Sequence, residues 1–519
     1  MKRYLFIALA ALGFAACAEK NEENGPVQNA ELEQSYVAIT LAADDITRAD
    51  EYEAGLAEER DVKSAYVFFF KDGAAFPVAF DDTTSTTTNA GPNNYLQVNL
   101  TTIDDDMPNV SDVKDAVLVL QNYKGEYPNQ IVAVLNWDPT AKSSYTLSEL
   151  QTKVSALGNA TNGFVMSNAV YADKAGQVID AVDLTIDNIA KTEADAMAHP
   201  VTIHVERVAA KVVFTAENGG KFAVEKEIDG KAVYAQIKGF ELYNDYQESW
   251  LIKRINPAWE VGFNWNDADF FRSYWAQSLG KAFENNTFAW TTDNTEIGQW
   301  NYLGENTRAW TKEADVRTKV VVKAQLVDAE GNPFEVVNWY GKDYIGEGDL
   351  LTVVANTLKN TYFSGDGSSF TGLTPTDIKC VDRLVTDAKA YEVYFQLSET
   401  GANKTWYKYE GGSYNYIDVP TMNTALAAVQ PALVYKNGMT YYWLDIKHLG
   451  APNSTAEYGI VRNHVYKVNI NDITGYGTPV YDGTSDFINL EKPEDIVTYV
   501  SAQINILSWR VVENDYDLK

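Results

Sequence analysis

Period two dominates the apolar residues of this chain. Residues 36–41 (YVAITL) set Val37, Ile39 and Leu41 on one face of an extended backbone. Residues 62–71 (VKSAYVFFFK) are β-branched and aromatic and end at the turn Asp72-Gly73. Residues 130–137 (QIVAVLNW) form a continuous apolar run of the kind that is buried on both faces. Residues 201–214 (VTIHVERVAAKVVF) alternate through Val201, Ile203 and Val205 and then shift phase near Arg207. Such a shift predicts a bulge or a strand that crosses between sheets. Further strand patterns lie at 235–242, 319–328, 440–446, 464–470 and 500–512. Helical patterns are few: residues 146–157, with Thr146 or Ser148 as N-cap, and residues 421–429. Strands joined by turn-rich connections predict a mainly β protein, built from antiparallel β-sandwiches with few short helices. The 519 residues allow three domains or two large ones. A boundary is expected near residues 217–230, where Glu217-Asn218-Gly219-Gly220 follows the long strand.

Charge excludes some partners. Against 42 Lys+Arg stand 72 Asp+Glu, a formal net charge of −30, so the chain repels a polyanion and nucleic acid is not its partner. Only two cysteines occur, Cys17 and Cys380, too few for a disulfide scaffold.

The chain opens MKRYLFIALAALGFAACAEK. Lys2 and Arg3 form a basic start, and residues 4–14 form an apolar stretch too short to span a bilayer as a helix. Small residues then precede a cysteine, which resembles a bacterial lipoprotein signal. Cleavage is expected between Ala16 and Cys17, with acylation of Cys17, although Phe14 stands where Leu is usual. The alternative is an ordinary secretory signal with an incidental cysteine. Acyl chains on Cys17 would anchor a precursor to the outer membrane. The following EKNEENGPVQNAELEQ is polar and reads as a tether. Cys380 reads as a small buried apolar side chain.

A search for chemistry assigns no catalytic, cofactor-binding or metal-binding residue. Asp44-Asp45 and Asp104-Asp105-Asp106 lack the Gly and Glu of a Ca²⁺ loop. His199, His204, His448 and His464 are dispersed; His204 is expected at a rim and His464 at the entry to a strand. Glu260, Asp267 and Asp269 stand among aromatic residues as in a sugar cleft, but sequence spacing does not set the separation two catalytic carboxylates need. Phosphate-binding glycine loops and nucleophile elbows are absent.

Several segments in order resemble the Bacteroidales fimbrillins, and within them the family of the minor-fimbrium shaft subunit. They are the lipoprotein start with its tether, residues 36–41 leading to DITRAD at 45–50, and FVMSN at 164–168. VERVAAKV within 201–214 and NWNDADFFRSYWA at 264–276 follow. GIVRNHVY at 459–466 and ILSWRVV at 506–512 complete the series. The resemblance covers nearly the whole chain.

It implies two tandem antiparallel β-sandwich (transthyretin-like) domains. The expected divisions are a signal peptide at 1–16, a propeptide with the first strand at 17–48, an N-terminal domain at 49–218 and a C-terminal domain at 219–519. It also implies an assembly route. A lipidated precursor is cut by an arginine-specific surface protease, the first strand leaves, and a strand of another copy fills the groove. In this sequence the expected cut is between Arg48 and Ala49, with Arg60 as a rival. The expected donor lies near 498–513: Val500, Ala502, Ile504 and Ile506 on one face, then Leu507, Trp509 and Val511 on the other. The alternative is that this run is simply a strand of the second domain's own sheet. The implied partners are copies of the chain, anchor and tip subunits and the protease, at the cell surface in a fimbrium serving adhesion and biofilm formation. Two other readings stand beside the shaft subunit: a tip or anchor subunit, and a surface glycan-binding lipoprotein that uses exposed Trp and Tyr as stacking platforms.

Overall fold

The computed structural model describes residues 32–42, 55–78, 93–98, 101–103, 113–123, 126–172, 177–255, 275–283, 289–290, 295–308, 316–382, 384–385, 391–448, 456–484, 501–507, 510–511 and 516–518. The alternating run at 36–41 becomes β1 (Leu32–Ala42). It joins β2 (Ala65–Lys71), β3 (Val113–Tyr123), β4 (Gln130–Leu135), β5 (Met166–Asn168) and β6 (Val201–Arg207) in the first sandwich. β6 closes one corner: residues 201–204 lie beside β1 and residues 205–207 beside β5. Val37 and Ile39 of β1 meet Val67 and Phe69 of β2, Leu118 and Leu120 of β3 and Ile203 of β6 in one apolar cluster between the sheets. Each such buried side chain stabilises the fold by roughly 1.5–3 kcal/mol.

The unbroken apolar runs of β2 and β4 have a direct cause. Their other face is covered too: Phe68, Phe70, Val132 and Val134 pack with Tyr145, Leu147, Leu150, Leu251 and Ile252. α1 (Leu147–Gln151) supplies two of these residues. It is shorter than residues 146–157 led one to expect. Thr146 caps it as expected, its Oγ1 accepting from Glu149 N at 3.2 Å. After Gln151 the chain turns, and Val154–Ala156 pairs antiparallel with Glu248–Trp250, from beyond the expected domain boundary, in a separate two-stranded sheet. Strand pairing across that boundary overrides helical pattern there.

Val208 and Ala209, both fully buried, carry the chain out of β6 into β7 (Ala210–Ala216), which belongs to another sheet. The phase shift near Arg207 is this crossing. In the second sandwich one sheet runs Trp300–Leu303, β7, then a long strand near the C-terminal end, and the other contains Lys221–Ile228 and β8 (Lys231–Tyr243). β9 (Lys319–Val327) and β10 (Met439–Asp445) extend the latter. The long strand is β11 (His464–Ile473), and β12 (Ser501–Leu507) pairs outside it. Val212, Phe214, Phe240, Val322, Tyr466 and Val468 share the core between these sheets.

Parallel pairings depart from the antiparallel pattern: β11 runs parallel to the short strands Arg510–Val511 and Tyr516–Leu518, and two longer ladders are parallel, β1 with β6 and β7 with β11. In both, the partners are far apart in sequence, so no hairpin dictates their direction.

A third lobe, not anticipated from the sequence, is inserted between β9 and β10. Its sheet runs Lys342–Ile345, Val336–Trp339, Ala432–Tyr435, Glu392–Leu397, Ile378–Asp382. α3 (Gly346–Leu358) and a helix at Val419–Ala427 complete its core through Leu350, Val354, Met422 and Leu426. A smaller sheet, Phe370–Gly372, Tyr362–Gly365, Trp406–Glu410, Ser413–Ile417, lies on the same core through Trp406.

Candidate assembly site

β1 is hydrogen-bonded along both edges. On one side it runs antiparallel to β3, from Leu32↔Tyr123 to Leu41↔Lys114. On the other it runs parallel to β6, from Ile39↔Val201 to Ala42↔His204. Ahead of that ladder, Tyr36 N donates to Ala190 O at 2.8 Å and Ala190 N donates back at 2.9 Å. Val37 and Ile39 are 0 % and 1 % exposed on the inner face. The outer face carries Ala38, 5 % exposed. α2 (Glu193–Ala198) packs on β1 and β3 yet gives no residue to the inner cluster, so it covers that outer face, with Ala196 fully buried. Without β1, the edges of β3 and β6 and an apolar trench lined by Leu118, Leu120 and Ile203 would lie open.

The C-terminal run sits differently. β12 is antiparallel to β11, from Val465↔Leu507 to Asn469↔Gln503. Its end makes a single pairing, Leu507↔Arg510, with the short strand Arg510–Val511. Of the expected donor residues, Ala502, Ile504, Ile506 and Leu507 lie on β12, and Val511 lies on the short strand. Here they belong to the chain's own second sandwich. Val500 and Trp509 lie outside the described residues, as do Ala16, Cys17, Arg48 and Ala49, and also Glu260, Asp267 and Asp269.

Between the sandwiches runs a seam of buried charge. Arg60, half-buried, closes the one-turn helix Ala57–Glu59. Glu59 is fully buried. Its carboxylate accepts from Lys211 Nζ at 2.6 Å, Tyr302 Oη at 2.5 Å and Leu56 N at 2.9 Å. Its carbonyl accepts from Arg207 Nε at 2.7 Å. Burial pushes the Glu59 carboxyl up, but the hydrogen bonds from Lys211, Tyr302 and Leu56 outweigh it and hold the group below its ordinary range. Burial, reinforced by that carboxylate, pushes the Tyr302 hydroxyl up.

The rest of the seam is built alike. Arg207 Nη1 donates to Asn463 Oδ1 at 3.2 Å, and Asn463 N donates to Ala209 O at 2.7 Å. Arg462, fully buried, donates through Nη2 to Glu305 Oε2 at 2.7 Å, Trp250 O at 2.6 Å and Ser249 Oγ at 3.2 Å. Lys253 Nζ donates to Glu206 Oε2 at 2.7 Å, both side chains fully buried. Burial pushes the Glu206 carboxyl up against the pull of Lys253 and Arg462. Next to the seam, the Trp275 ring occupies the space a Cβ at Gly459 would need, 2.4 Å from its Cη2. His464 opens β11, with Nδ1 2.7 Å from Arg462 O.

Three segments that looked familiar in the sequence therefore meet in one place: VERVAAKV, the end of NWNDADFFRSYWA, and GIVRNHVY. The charged residues of the first and the last pair with Glu59, Lys253 and Glu305 and fix how the two sandwiches are joined. Glu206, Arg207 and Lys211 were visible as charges inside an apolar strand run. Glu59, Lys253 and Glu305 carried no such signal, because each lies in a one-turn helix or an irregular segment and its partner is distant in sequence.

Residues 433–515, which include β11 and β12, match the family described as major fimbrial subunit protein type IV, fimbrillin, C-terminal. The C-terminal region of the chain is thus similar to the fimbrillin C-terminal family. Solved structures similar to this chain include a fimbrilin from Porphyromonas gingivalis W83, at 13 % identity over 92 % of this chain and 98 % of that one, with a TM-score of 0.41. A fimbrial assembly protein from Parabacteroides distasonis ATCC 8503 is 10 % identical over 93 % and 100 %, with a TM-score of 0.30. The tip fimbrial protein Mfa3 from Porphyromonas gingivalis, with C-terminal truncation, is 12 % identical over 91 % and 100 %, with a TM-score of 0.28. No curated protein matches the sequence.

Proposed function

We propose that this chain is a fimbrillin and the repeating structural subunit of a cell-surface fimbrium, made as a lipidated outer-membrane precursor and joined by exchanging β1 for a strand of another copy. The observation that carries this reading is the place of β1. It is an apolar strand at the centre of a sandwich, bonded on both edges, and Arg48 lies in the segment that ties it to the rest of its domain. A cut between Arg48 and Ala49 by an arginine-specific surface protease makes β1 a separable ligand. Its loss leaves unpaired backbone and an apolar trench, which drives capture of a replacement strand. Arg60 is the poorer target: it is half-buried, and a cut behind it would separate Glu59 from the domain whose seam it holds. The donor is the segment around β12, from Val500 to Val511, which lies outside β11 and leaves its sheet at less cost than β1 would. Anchor and tip subunits are the further partners, and adhesion and biofilm formation are the role. The acidic surface keeps neighbouring filaments from clumping.

Electron microscopy of the purified chain before and after arginine-specific cleavage tests the reading; filaments are expected only after the cut. The N-terminus of subunits taken from filaments should be Ala49, and filaments whose subunits mostly retain Cys17 would refute the route. Ending the chain at Asp495 should leave secretion intact and abolish filaments, and normal filaments from that truncation would rule out the C-terminal donor.

One observation favours the glycan-binding alternative. On the small sheet of the inserted lobe, Phe363, Phe370, Tyr407, Tyr409, Tyr414 and Tyr416 share the face away from Trp406, by the cross-strand register. Phe370 and Tyr414 stack with centroids 3.8 Å apart, and Tyr416 is 67 % exposed. Affinity electrophoresis on soluble polysaccharides tests it; strong retardation that Tyr416→Ala removes is the supporting result.

A further inference from the structure

We infer that the incoming strand takes the place of β1 in one register, with Tyr499 where Tyr36 stands and Val500 where Val37 stands. This rests on the strand-exchange reading above. Residues 35–41 read SYVAITL, and residues 498–504 read TYVSAQI. Position by position both give a small hydroxyl residue, Tyr, Val, a small residue, an apolar one, a polar one and an apolar one.

The groove explains why this pattern matters. The places of Val37 and Ile39 face the closed cluster between the sheets and require apolar side chains. The place of Ala38 lies under α2, whose Ala196 is itself fully buried, so it admits only a small side chain. Three residues of the segment 498–511 are small enough: Ser501, Ala502 and Ser508. Ala502 under α2 would put Ser501 and Gln503 into the two apolar places. Ser508 there would put Trp509 into the place of Ile39, overfilling a packed core, and Asn505 into the place of the buried Ser35. Ser501 under α2 puts Val500 and Ala502 inward and keeps Tyr499 opposite Val119. The donor then runs as β1 does, antiparallel to β3 and parallel to β6. The one poor match is Ala502 in the place of Ile39, which leaves a gap in the cluster.

Intermolecular crosslinking reads the register directly. Tyr36 stands opposite Val119, which is 44 % exposed and tolerates substitution. Directly opposed residues bring Cβ atoms close enough for a disulfide. In a Cys380→Ala background, Val119→Cys is combined in turn with Tyr499→Cys, Val500→Cys and Ile506→Cys, the residues that the three registers place at this position. The chains are cut, filaments are verified by electron microscopy, and the products are oxidised mildly and run without reductant. A covalent ladder is expected from the Tyr499→Cys pair alone. A ladder from either other pair, or no ladder from filaments that do form, overturns the register. Failure of the cut, unmodified chain to form filaments overturns strand exchange itself, and the register with it. A second measurement uses the gap: Ala502→Ile should lengthen filament lifetime in denaturant, and Ser501→Phe should stop joining. The opposite pair of results refutes the assignment.

Discussion

The two sandwiches hold their terminal strands in opposite ways. β1 lies between β3 and β6, with its apolar face closed into the core. β12 lies outside β11 and follows a single long ladder. Both are short extended segments with alternating apolar residues. Position in the sheet, not composition, decides which one its own domain depends on. A strand whose removal is costly defines a groove worth refilling, and a strand that leaves cheaply is fit to refill it.

The largest expected effect tests that contrast. Ile39→Asp puts a charge into the closed cluster and should cost about 4 kcal/mol or abolish folding. Ile504→Asp should cost less, because β12 is held by one long ladder where β1 is held on both edges, while abolishing filament formation. Urea titration of both variants checks this, and equal losses would break the comparison.

Next in size is the seam that holds the two sandwiches together. Glu59→Gln should cost about 3 kcal/mol at neutral pH, because Lys211 and Tyr302 lose a buried carboxylate partner. Its pH dependence has a definite sign. The Glu59 carboxyl is held below the ordinary value of 4.5, so its contribution is complete above that value and is lost as pH falls through the lower folded value. The wild-type chain should show this acid loss and the Gln variant should lack it, as read by thermal melts from pH 7 to pH 3.

A smaller effect is expected at the other buried pair of the seam. Burial dominates at Glu206, so exchanging both ends, Glu206→Leu with Lys253→Met, should change stability by about 1 kcal/mol or less. Denaturant midpoints compare it with Glu59→Gln, and an equal loss would show that the two pairs are energetically alike. The smallest effect is expected in the inserted lobe. Burial pushes the Cys380 thiol up, so it should react slowly with thiol reagents at neutral pH. Cys380→Ala should leave filament formation unchanged, as counted by microscopy.

Much of this was legible in the sequence, for a physical reason: alternation reports a half-buried strand wherever the strand lies. β1, the crossing at Arg207 and the strands around β11 all announced themselves in that way. The inserted lobe did not. α3 begins Gly346-Glu347-Gly348-Asp349 and continues through the β-branched Thr352, Val353 and Val354, a poor local helix. Part of its start is held from outside, where Glu335 Oε1 accepts from Glu347 N at 2.9 Å. The seam was half-legible. The charges of VERVAAKV stood out, but the residues that neutralise them come from Glu59, Lys253 and the VRNH turn, contacts that only the folded chain creates. The parallel directions of β1 and β7 were hidden likewise, since a strand's pattern is the same whichever way its neighbour runs.

The inserted lobe leaves β9 and returns in β10, two strands that pair directly from Lys319↔Asp445 to Gln325↔Met439. To the sandwich, then, the whole lobe amounts to one hairpin turn. It can change in size or sequence without altering either strand. In a filament of such subunits it recurs once per repeat, at a spacing set by the axial joint. Its aromatic face then becomes a regular array, on which contacts too weak to hold singly combine through high effective concentration.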